Sequence, residues 1–597
     1  MAAVLGPCPD DPDAGITHTT TAEARFAEGR ARRELISQII RANYIGPQRS
    51  LLGSLNEFRH WSPQEVRNLF EQNLPPIKEG DAEGRRKLYP LGPLYRSIPS
   101  DSRRWKDLAT KAAMVGVVDA FAVPFSPLLL LASKEQRKKT MQIYADLNVS
   151  AISSSFFVKA SPGLLEQAAQ SGKALCVNRW GIFRIMDSGY AAISHVWVET
   201  MGLEYNDEKT EQDERGFNMH HFIRIMDVVR RTGCEWVWFD LLAIPKGRDP
   251  ASRALKTRLI NSLRHVYANA ARIVVLDGLT LQLNSGDPLI TAAILSCGRW
   301  LSRVWTYQEA KLARELKIVT ATAVIDLKDM VGALRAAELR DYNRWHQLYL
   351  TFARLMPLHE QGISLADIAL SCGNRSCENE IDYARGFFAV LGLEWKQDFT
   401  YEDGMLAILQ SQPQHAASIA GMHGPRGLPS PYSWAPKYLA RLQGRIYDGF
   451  DVQLGTLIGY WHTVTVKQLK KRFVPESFPG VVCDLVVADN PDAPMEARAE
   501  AEIQIRFYPE HWTDQLEAWL EEAIPSGKAR LLCGEHMNVD PCESDQYARI
   551  VLAAISTVGA VADLNLDDWG AVAGSAVVNC PSIGAVRDTK MRWLFLD

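Results

Sequence analysis

The chain has 597 residues, of which 47% are hydrophobic and 23% are charged. This balance is typical of a globular protein with large cores, and the length predicts about three or four domain-sized units. The formal net charge of -4 excludes a general basic field for nucleic acid, and no basic run is long enough to supply a local one.

The sequence pattern of residues 1–175 predicts a mostly helical N-terminal extension. Ser62 to Glu65 has the features of a helix start, namely a capping serine, a proline and a glutamate three residues on. The apolar segment from Ala112 to Ala132 has about the length of a bilayer span, but it contains Asp119 and two prolines. Because an unpaired carboxylate is costly in lipid, we expect this segment to be buried in the protein rather than in a membrane. The first residues lack the charged and apolar regions of a signal peptide.

Residues 176–325 predict an α/β domain, because short apolar segments alternate with amphipathic helical ones. The predicted strands are Tyr190–Trp197, Trp236–Leu242, Arg272–Asp277 and one that begins at Lys317, and the predicted helices are Phe217–Arg231, Ser252–Asn269 and Val304–Leu316. This alternation indicates a parallel sheet with helices on both faces. The carboxyl ends of such strands share one edge, where ligands bind, and we expect Asp240 and Asp277 to lie there.

The rest of the chain predicts two further regions. Residues 326–440 predict a helical region with a connector rich in glycine and proline, and residues 441–597 predict a C-terminal α+β region. The elements are helices at Met330–Leu355, Ile381–Leu391 and Trp512–Glu522, and strands at Val481–Ala488, Ile503–Tyr508 and Met591–Leu596.

The ten cysteines are scattered and include no Cys-x-x-Cys pair. A chain of this size does not need disulfides for stability, so we expect reduced thiols and a cytoplasmic location. Cys533, His536 and Cys542 have a spacing that matches no closed zinc site, and no metal is predicted.

Three blocks in the middle of the chain resemble the motifs of the heterokaryon-incompatibility (HET) domain family. They are Tyr190–Trp197, Trp236–Pro245 and Ser302–Glu309, and the last reads Ser-Arg-Val-Trp-Thr-Tyr-Gln-Glu. Their order and spacing together are more specific than any one of them, and the resemblance covers about 130 residues.

The resemblance is incomplete at two positions. Val198 stands where family members usually carry glycine, and Ala243 stands where they carry cysteine. A thiol nucleophile at that second position is therefore excluded. The loop around it has become apolar.

The resemblance implies a fold like that of HET and TIR domains, a flavodoxin-like parallel sheet flanked by helices. Some TIR-type folds cleave NAD with one glutamate near the sheet edge, so the resemblance makes Glu309 the candidate catalytic residue, with Asp240 and His195 beside it. A glutamate there can polarise a ribose hydroxyl or stabilise an oxocarbenium-like state. The alternatives are an ion pair of Glu309 with Arg303 or His195, and capping of the next turn by Asp240.

Further residues of these blocks are candidates for binding. The set comprises Ser194, Trp197, Trp236, Trp238, Arg303, Trp305 and Gln308. Ser194 and His195 are adjacent in a strand, so they point to opposite faces and do not form a nucleophile–base pair. The tryptophans are interpreted either as core residues or, for Trp236 and Trp238, as one wall of a pocket.

The sequence leaves three functions open, and none requires a cofactor. Phosphate-binding loops, dinucleotide fingerprints, nucleophile elbows and zincin motifs are absent from it. The first function is fungal incompatibility or cell-death signalling through NAD cleavage or self-association. The second is a cofactor-independent cyclase of secondary metabolism, similar to a Diels-Alderase, which holds an apolar polyene near its attack geometry. The third is a non-catalytic interaction module.

Overall fold

The structure is a computed structural model in which the larger part of the chain can be described. The described residues are 57–58, 60–74, 157–197, 217–245, 247, 249–357, 362–422, 424–442, 446, 449–472, 481–488, 500–507, 514–526, 529–534, 547–556, 568–579 and 591–596. The apolar segment Ala112–Ala132 and the pair His536 and Cys542 lie outside them. Within these ranges, every helix is too short or too polar to cross a membrane.

A mixed sheet of seven strands forms the centre of the fold. Its strands are β2 (Ala174–Val177), β3 (Phe183–Met186), β4 (Ala191–His195), β6 (Val237–Trp238), β7 (Arg272–Leu276), β8 (Leu316–Val319) and β9 (Val324–Asp326). The strand order is β3-β2-β6-β4-β7-β8-β9. The pairs β6–β4, β4–β7 and β7–β8 are parallel, whereas β2, β3 and β9 are antiparallel additions. The prediction of an α/β fold with a parallel sheet is confirmed.

The order in which the chain adds parallel strands changes direction at β4. From β4 the chain moves to one side to form β6 and then crosses to the other side to form β7 and β8. Open α/β sheets bind ligands outside the carboxyl ends of their strands at such a switch point. The carboxyl end of β4, at His195, therefore marks the place to examine.

The central strands are buried on both faces, as their apolar sequences require. All five residues of β4 are buried, and so are Ile273 to Leu276 in β7. Ala192 and Val275 belong to one core, whereas Ile193 and Val274 belong to a second core on the opposite face. Burial of each such branched side chain contributes about 1.5–3 kcal/mol.

Helices cover both faces of this sheet. They are α2 (Pro162–Ser171), α3 (Met219–Arg230), α4 (Asp240–Ala243), α5 (Pro250–Asn261), α6 (Leu263–Asn269), α7 (Pro288–Ser296), α8 (Arg299–Ser302) and α9 (Trp305–Leu312). Phe222 and Met226 of α3 pack in the second core, and Val266 of α6 and Tyr307 of α9 pack in the first. A short pair of strands, β1 (Phe157–Val158) with β5 (Phe217–Asn218), lies beside α3.

Several of the predicted element boundaries in this region are wrong. The helix predicted over Val304–Leu316 ends at Leu312, and Leu316 begins β8. The strand predicted to reach Leu242 ends at Trp238, because Asp240 starts the helical turn α4 and its Oδ1 accepts the Leu241 N–H at 2.7 Å. The helix predicted over Ser252–Asn269 is divided into α5 and α6 at Ser262, whose hydroxyl donates to the Leu259 carbonyl at 2.7 Å. Such local bonds from serine compete with the helix.

Helices follow the central domain, and within the described residues one helix of the N-terminal region precedes it. The following helices are α10 (Leu327–Glu338), α11 (Tyr342–Ala353), α12 (Leu365–Ser371), α13 (Asp382–Leu391), α14 (Tyr401–Ser411) and α15 (Pro413–Ile419). The single helix predicted over Met330–Leu355 is thus a pair, because Asp341 accepts the Arg344 N–H and starts α11. The preceding helix, α1 (Pro63–Asn73), has the predicted capping box. It packs near α11, where Trp61 Nε1 donates to the Arg344 carbonyl at 3.2 Å.

The C-terminal region is a sheet of eight strands with one described helix, α16 (Asp514–Ala523). The strands are β10 (Asp451–Gln453), β11 (Thr456–Arg472), β12 (Val481–Ala488), β13 (Glu500–Phe507), β14 (Ala529–Gly534), β15 (Tyr547–Ser556), β16 (Asp568–Asn579) and β17 (Met591–Leu596). Because β14 also pairs with β11, the sheet closes on itself. The region has the predicted α+β character, although β10, β11, β14, β15 and β16 were not predicted.

Candidate functional site

The carboxyl ends of the parallel strands place several polar side chains at one edge of the sheet. His195 ends β4, Asp240 follows β6 after one residue, and Asp277 follows β7 directly. The aspartates lie where the sequence predicted them. This edge, with the first residues of α4, α8 and α9 near it, is the candidate site.

Ser194 and His195 point to opposite faces of β4 and have separate partners. Ser194 is fully buried, accepts a hydrogen bond from Trp300 Nε1 at 2.6 Å and donates one to Glu309. His195 packs against Phe239 with ring centroids 5.0 Å apart, and its Nε2 lies 2.8 Å from Oδ1 of Asp240. The adjacent serine and histidine therefore belong to two different clusters.

The first cluster is centred on Asp240. Besides His195, Trp197 Nε1 donates to Oδ2 at 2.6 Å and the Leu241 N–H donates to Oδ1 at 2.7 Å. Burial on its own raises the pKa of this carboxyl, but the charge of His195 and these hydrogen bonds outweigh it and lower the pKa. Asp240 is therefore a stabilised carboxylate, and its side chain keeps 18% of its exposure. The capping role that the sequence offered for Asp240 is present together with the histidine contact.

The second cluster is centred on Glu309, which projects from α9 toward β4. Ser194 donates to Oε2, and the Tyr267 hydroxyl of α6 donates to Oε1 at 3.2 Å. Burial raises the pKa of Glu309 to about 8, against the hydrogen bond from Ser194, and the charge of Asp240 raises it further. Glu309 thus holds a proton at neutral pH. Neither ion pair suggested for it is formed, because Arg303 pairs with Glu378 at 3.0 Å and His195 pairs with Asp240.

Asp277 links the sheet edge to the corner between α7 and α8. Its Oδ1 accepts the Leu279 N–H at 2.9 Å, and its Oδ2 accepts the Trp300 N–H at 3.2 Å. Gly298 lies against this carboxyl, and a Cβ at residue 298 would come within 2.6 Å of the Asp277 Cγ. A φ of -76° is accessible to any residue, so the backbone conformation does not require a glycine here. The glycine is required because a larger residue would leave no room for the Asp277 carboxyl.

The remaining predicted site residues lie mainly in or against the core. Trp238 is buried and packs edge-on against Tyr267 with centroids 5.3 Å apart, while Trp236 and Trp305 pack against the same core from partly buried positions. Gln308 is fully buried, and neither atom of its amide has a hydrogen-bond partner among the described residues.

The structure adds site residues that the sequence did not single out. Tyr267 and Trp300 contact the Glu309 cluster directly, and Thr306 donates to the Trp300 carbonyl at 2.5 Å. Arg375 reaches the same corner from the segment after α12, where its Nη1 donates to Thr306 Oγ1 at 2.7 Å. Of these residues, Thr306 lies in the block Ser302–Glu309 that carried the family resemblance. No spacing rule connects Tyr267, Trp300 or Arg375 to the blocks. Across the part of the chain described here, no group of three or more His, Cys, Asp and Glu side chains is arranged to hold a metal ion.

A doubly wound sheet with polar clusters at its switch point defines a domain of the flavodoxin-like α/β class. Residues 190–292 match the family model described as heterokaryon incompatibility protein (HET). The chain therefore carries a HET domain, as its motifs indicated. No curated protein and no solved structure matches the chain. Trp300, Glu309 and Arg375 all lie beyond the matched residues.

Proposed function

We propose that this protein acts in incompatibility or cell-death signalling of the HET type, and that its HET domain cleaves the N-glycosidic bond of NAD. The observation that supports the proposal is the pair of carboxyl groups at the switch point, whose pKa values are shifted in opposite directions. Asp240 is a stabilised carboxylate, whereas Glu309 keeps its proton up to about pH 8. Neighbouring carboxyls whose environments separate their pKa values are typical of acid–base sites.

The reaction assigns a different part to each carboxyl. The bond between C1′ of the ribose and the nicotinamide nitrogen breaks, and its electron pair leaves with the nicotinamide, which becomes neutral. The ribose acquires oxocarbenium character, which the negative charge of Asp240 stabilises. The protonated Glu309 donates a hydrogen bond to a ribose hydroxyl and fixes the sugar. Water then adds at C1′ and releases one proton to solvent.

A non-catalytic interaction module is the second candidate, and a specific observation favours it. Both oxygens of Asp240 and both oxygens of Glu309 already accept hydrogen bonds within the protein. In this alternative the two clusters only hold the sheet edge rigid for a partner or a second copy of the chain. The cyclase hypothesis depends on a pocket walled by tryptophans, and the core packing of Trp238 adds no support to it.

Incubation of the purified full-length protein with NAD tests the proposal, with release of nicotinamide followed by chromatography. We expect Glu309→Leu, which removes the hydrogen-bond donor, and Asp240→Asn, which removes the negative charge, to lower the rate about 10²–10³-fold, the range for loss of one group that stabilises the transition state. Glu315→Gln is the matched control, since Glu315 lies in the same domain but pairs with Lys317 at the surface. Absence of nicotinamide release by the wild type, or equal rates for all four proteins, would exclude NAD cleavage and leave the interaction module.

The proposal places the protein in the cytoplasm, where NAD is available. Free thiols support a reducing compartment: Cys176, Cys297 and Cys372 are buried and unpaired, and burial raises the pKa of each thiol. Location of a tagged protein in fractionated cells checks this part of the proposal separately.

A further inference from the structure

Arg375 is a buried cation whose charge no carboxylate pairs with at ion-pair distance within the described part of the chain. Only 2% of the residue is exposed, and burial lowers the pKa of its guanidinium. Its Nη1 donates to the Arg303 carbonyl at 2.6 Å and to Thr306 Oγ1 at 2.7 Å, while its Nε has no hydrogen-bond partner among the described residues. A buried charge in this state costs free energy, so its presence calls for a role.

A continuous chain of hydrogen bonds leads from Arg375 to Glu309. Thr306 accepts from Arg375 and donates to the Trp300 carbonyl at 2.5 Å. The Trp300 indole N–H then donates to Ser194, and the Ser194 hydroxyl donates to Glu309. Each link joins residues on different elements, so a shift at Arg375 is passed to the glutamate through fixed contacts.

The backbone beside Arg375 is fastened to the same corner. Ser376 donates its N–H to the Ser302 carbonyl at 2.7 Å, and Val304 donates to the Ser376 carbonyl at 3.2 Å. Arg303 and Ser376 form an isolated parallel bridge. The segment after α12 is therefore held against the start of α9, the helix that carries Glu309.

We propose that Arg375 is the positioning residue of Glu309, which it holds through Thr306, Trp300 and Ser194. The importance of this contact for catalysis rests on the proposed role of Glu309 in NAD cleavage. The effect of Arg375 on the position of Glu309 does not depend on that role. The charged and titratable groups that act on Glu309 are Asp240, which disfavours its ionisation, and Arg375, which favours it, with Tyr267 donating a hydrogen bond.

Infrared difference spectra test the inference on the full-length protein. Subtraction of the Glu309→Gln spectrum isolates the carboxyl band of Glu309, and its loss is followed as the pH is raised. We expect Arg375→Met to move the midpoint upward by less than about one pH unit, because it removes a positive charge that favours ionisation of Glu309 but lies beyond ion-pair distance from it. Arg375→Lys should restore most of the midpoint, because it returns the charge.

Arg426→Met is the matched control. Arg426 is also a buried arginine that donates to backbone carbonyls, those of Trp434, Ala420 and Met422, but it is not connected to Glu309. An unmoved midpoint in Arg375→Met, or an equal shift in Arg426→Met, would overturn the inference. If Arg375→Met does not fold, Thr306→Val decides the matter, because it removes the hydroxyl that joins Arg375 to Trp300. A Glu309 band unchanged in width and frequency in Thr306→Val would also overturn the inference.

The two proposals fail separately. A shifted Glu309 midpoint without nicotinamide release by the wild type removes NAD cleavage and retains the positioning role. Nicotinamide release with a pH profile that is identical in wild type and Arg375→Met retains NAD cleavage and removes the positioning role.

Discussion

Replacement of Gly298 by alanine is expected to destabilise the protein through one carboxyl group. A Cβ at residue 298 would lie 2.6 Å from Cγ of Asp277, which is fully buried. Asp277 must therefore turn away from the backbone N–H groups of Leu279 and Trp300. Since Trp300 also donates to Ser194, the displacement reaches the Glu309 cluster.

The magnitude follows from the contacts that are lost. Overpacking of a buried site costs about 1–3 kcal/mol. Displacement of a buried carboxyl from a hydrogen-bond donor costs about 1 kcal/mol more. We therefore expect a loss of about 2–4 kcal/mol in the free energy of unfolding, which for a domain of about 150–250 residues lowers the melting temperature by about 4–16 °C.

Differential scanning calorimetry measures this change, and Gly332→Ala provides the control. Gly332 lies in the interior of α10, where an added Cβ meets no atom within 4 Å. Alanine there should stabilise the helix by about 0.5–1 kcal/mol, because glycine has the lower helix propensity. A Gly298→Ala protein that melts at or above the wild-type temperature would show that the Asp277 carboxyl is not held as described.

Two further changes test buried polar groups elsewhere. Gln308→Met removes a buried amide that has no hydrogen-bond partner among the described residues, and it should raise the free energy of unfolding by about 1–3 kcal/mol. A lower melting temperature than that of the wild type would show that the amide is hydrogen-bonded in the folded protein. Glu57 is buried and its pKa is raised to about 7, so the folded protein binds more protons than the unfolded chain between about pH 4.5 and 7, and stability falls as the pH rises through that window. Glu57→Gln should lose less stability than the wild type between pH 5 and 7.5, and parallel curves of melting temperature against pH would contradict this.

The sequence predicts the sheet well where a strand is buried on both faces. The strands β4 and β7 can be predicted from their sequences alone. Both of their faces are buried, so each is a continuous apolar run. The strand β6 has only two residues, so its limits depend on the turn that Asp240 makes with Leu241. The edge strand β3 carries exposed Arg184 and lacks a clean apolar run, and it was not predicted.

The candidate site was predictable to the extent that it follows from the sheet. The alternation of side chains separates Ser194 from His195, and the carboxyl ends of parallel strands gather the aspartates. The role of Arg375 could not be predicted from the sequence. Its contact with Thr306 spans 69 residues and depends on how the segment after α12 packs. The division of the chain at residue 325 stays a prediction.

The bridge between Arg303 and Ser376 sets the minimum length of a fragment that keeps the Glu309 cluster intact, because such a fragment must include Ser376. A fragment that ends at residue 325 keeps β4, β6, β7 and β8 but lacks the chain that fastens the start of α9. The family match ends earlier still, at residue 292, before Glu309. Two HET domains compared over the matched residues alone can therefore agree in their sheets and differ, unnoticed, in what holds that glutamate.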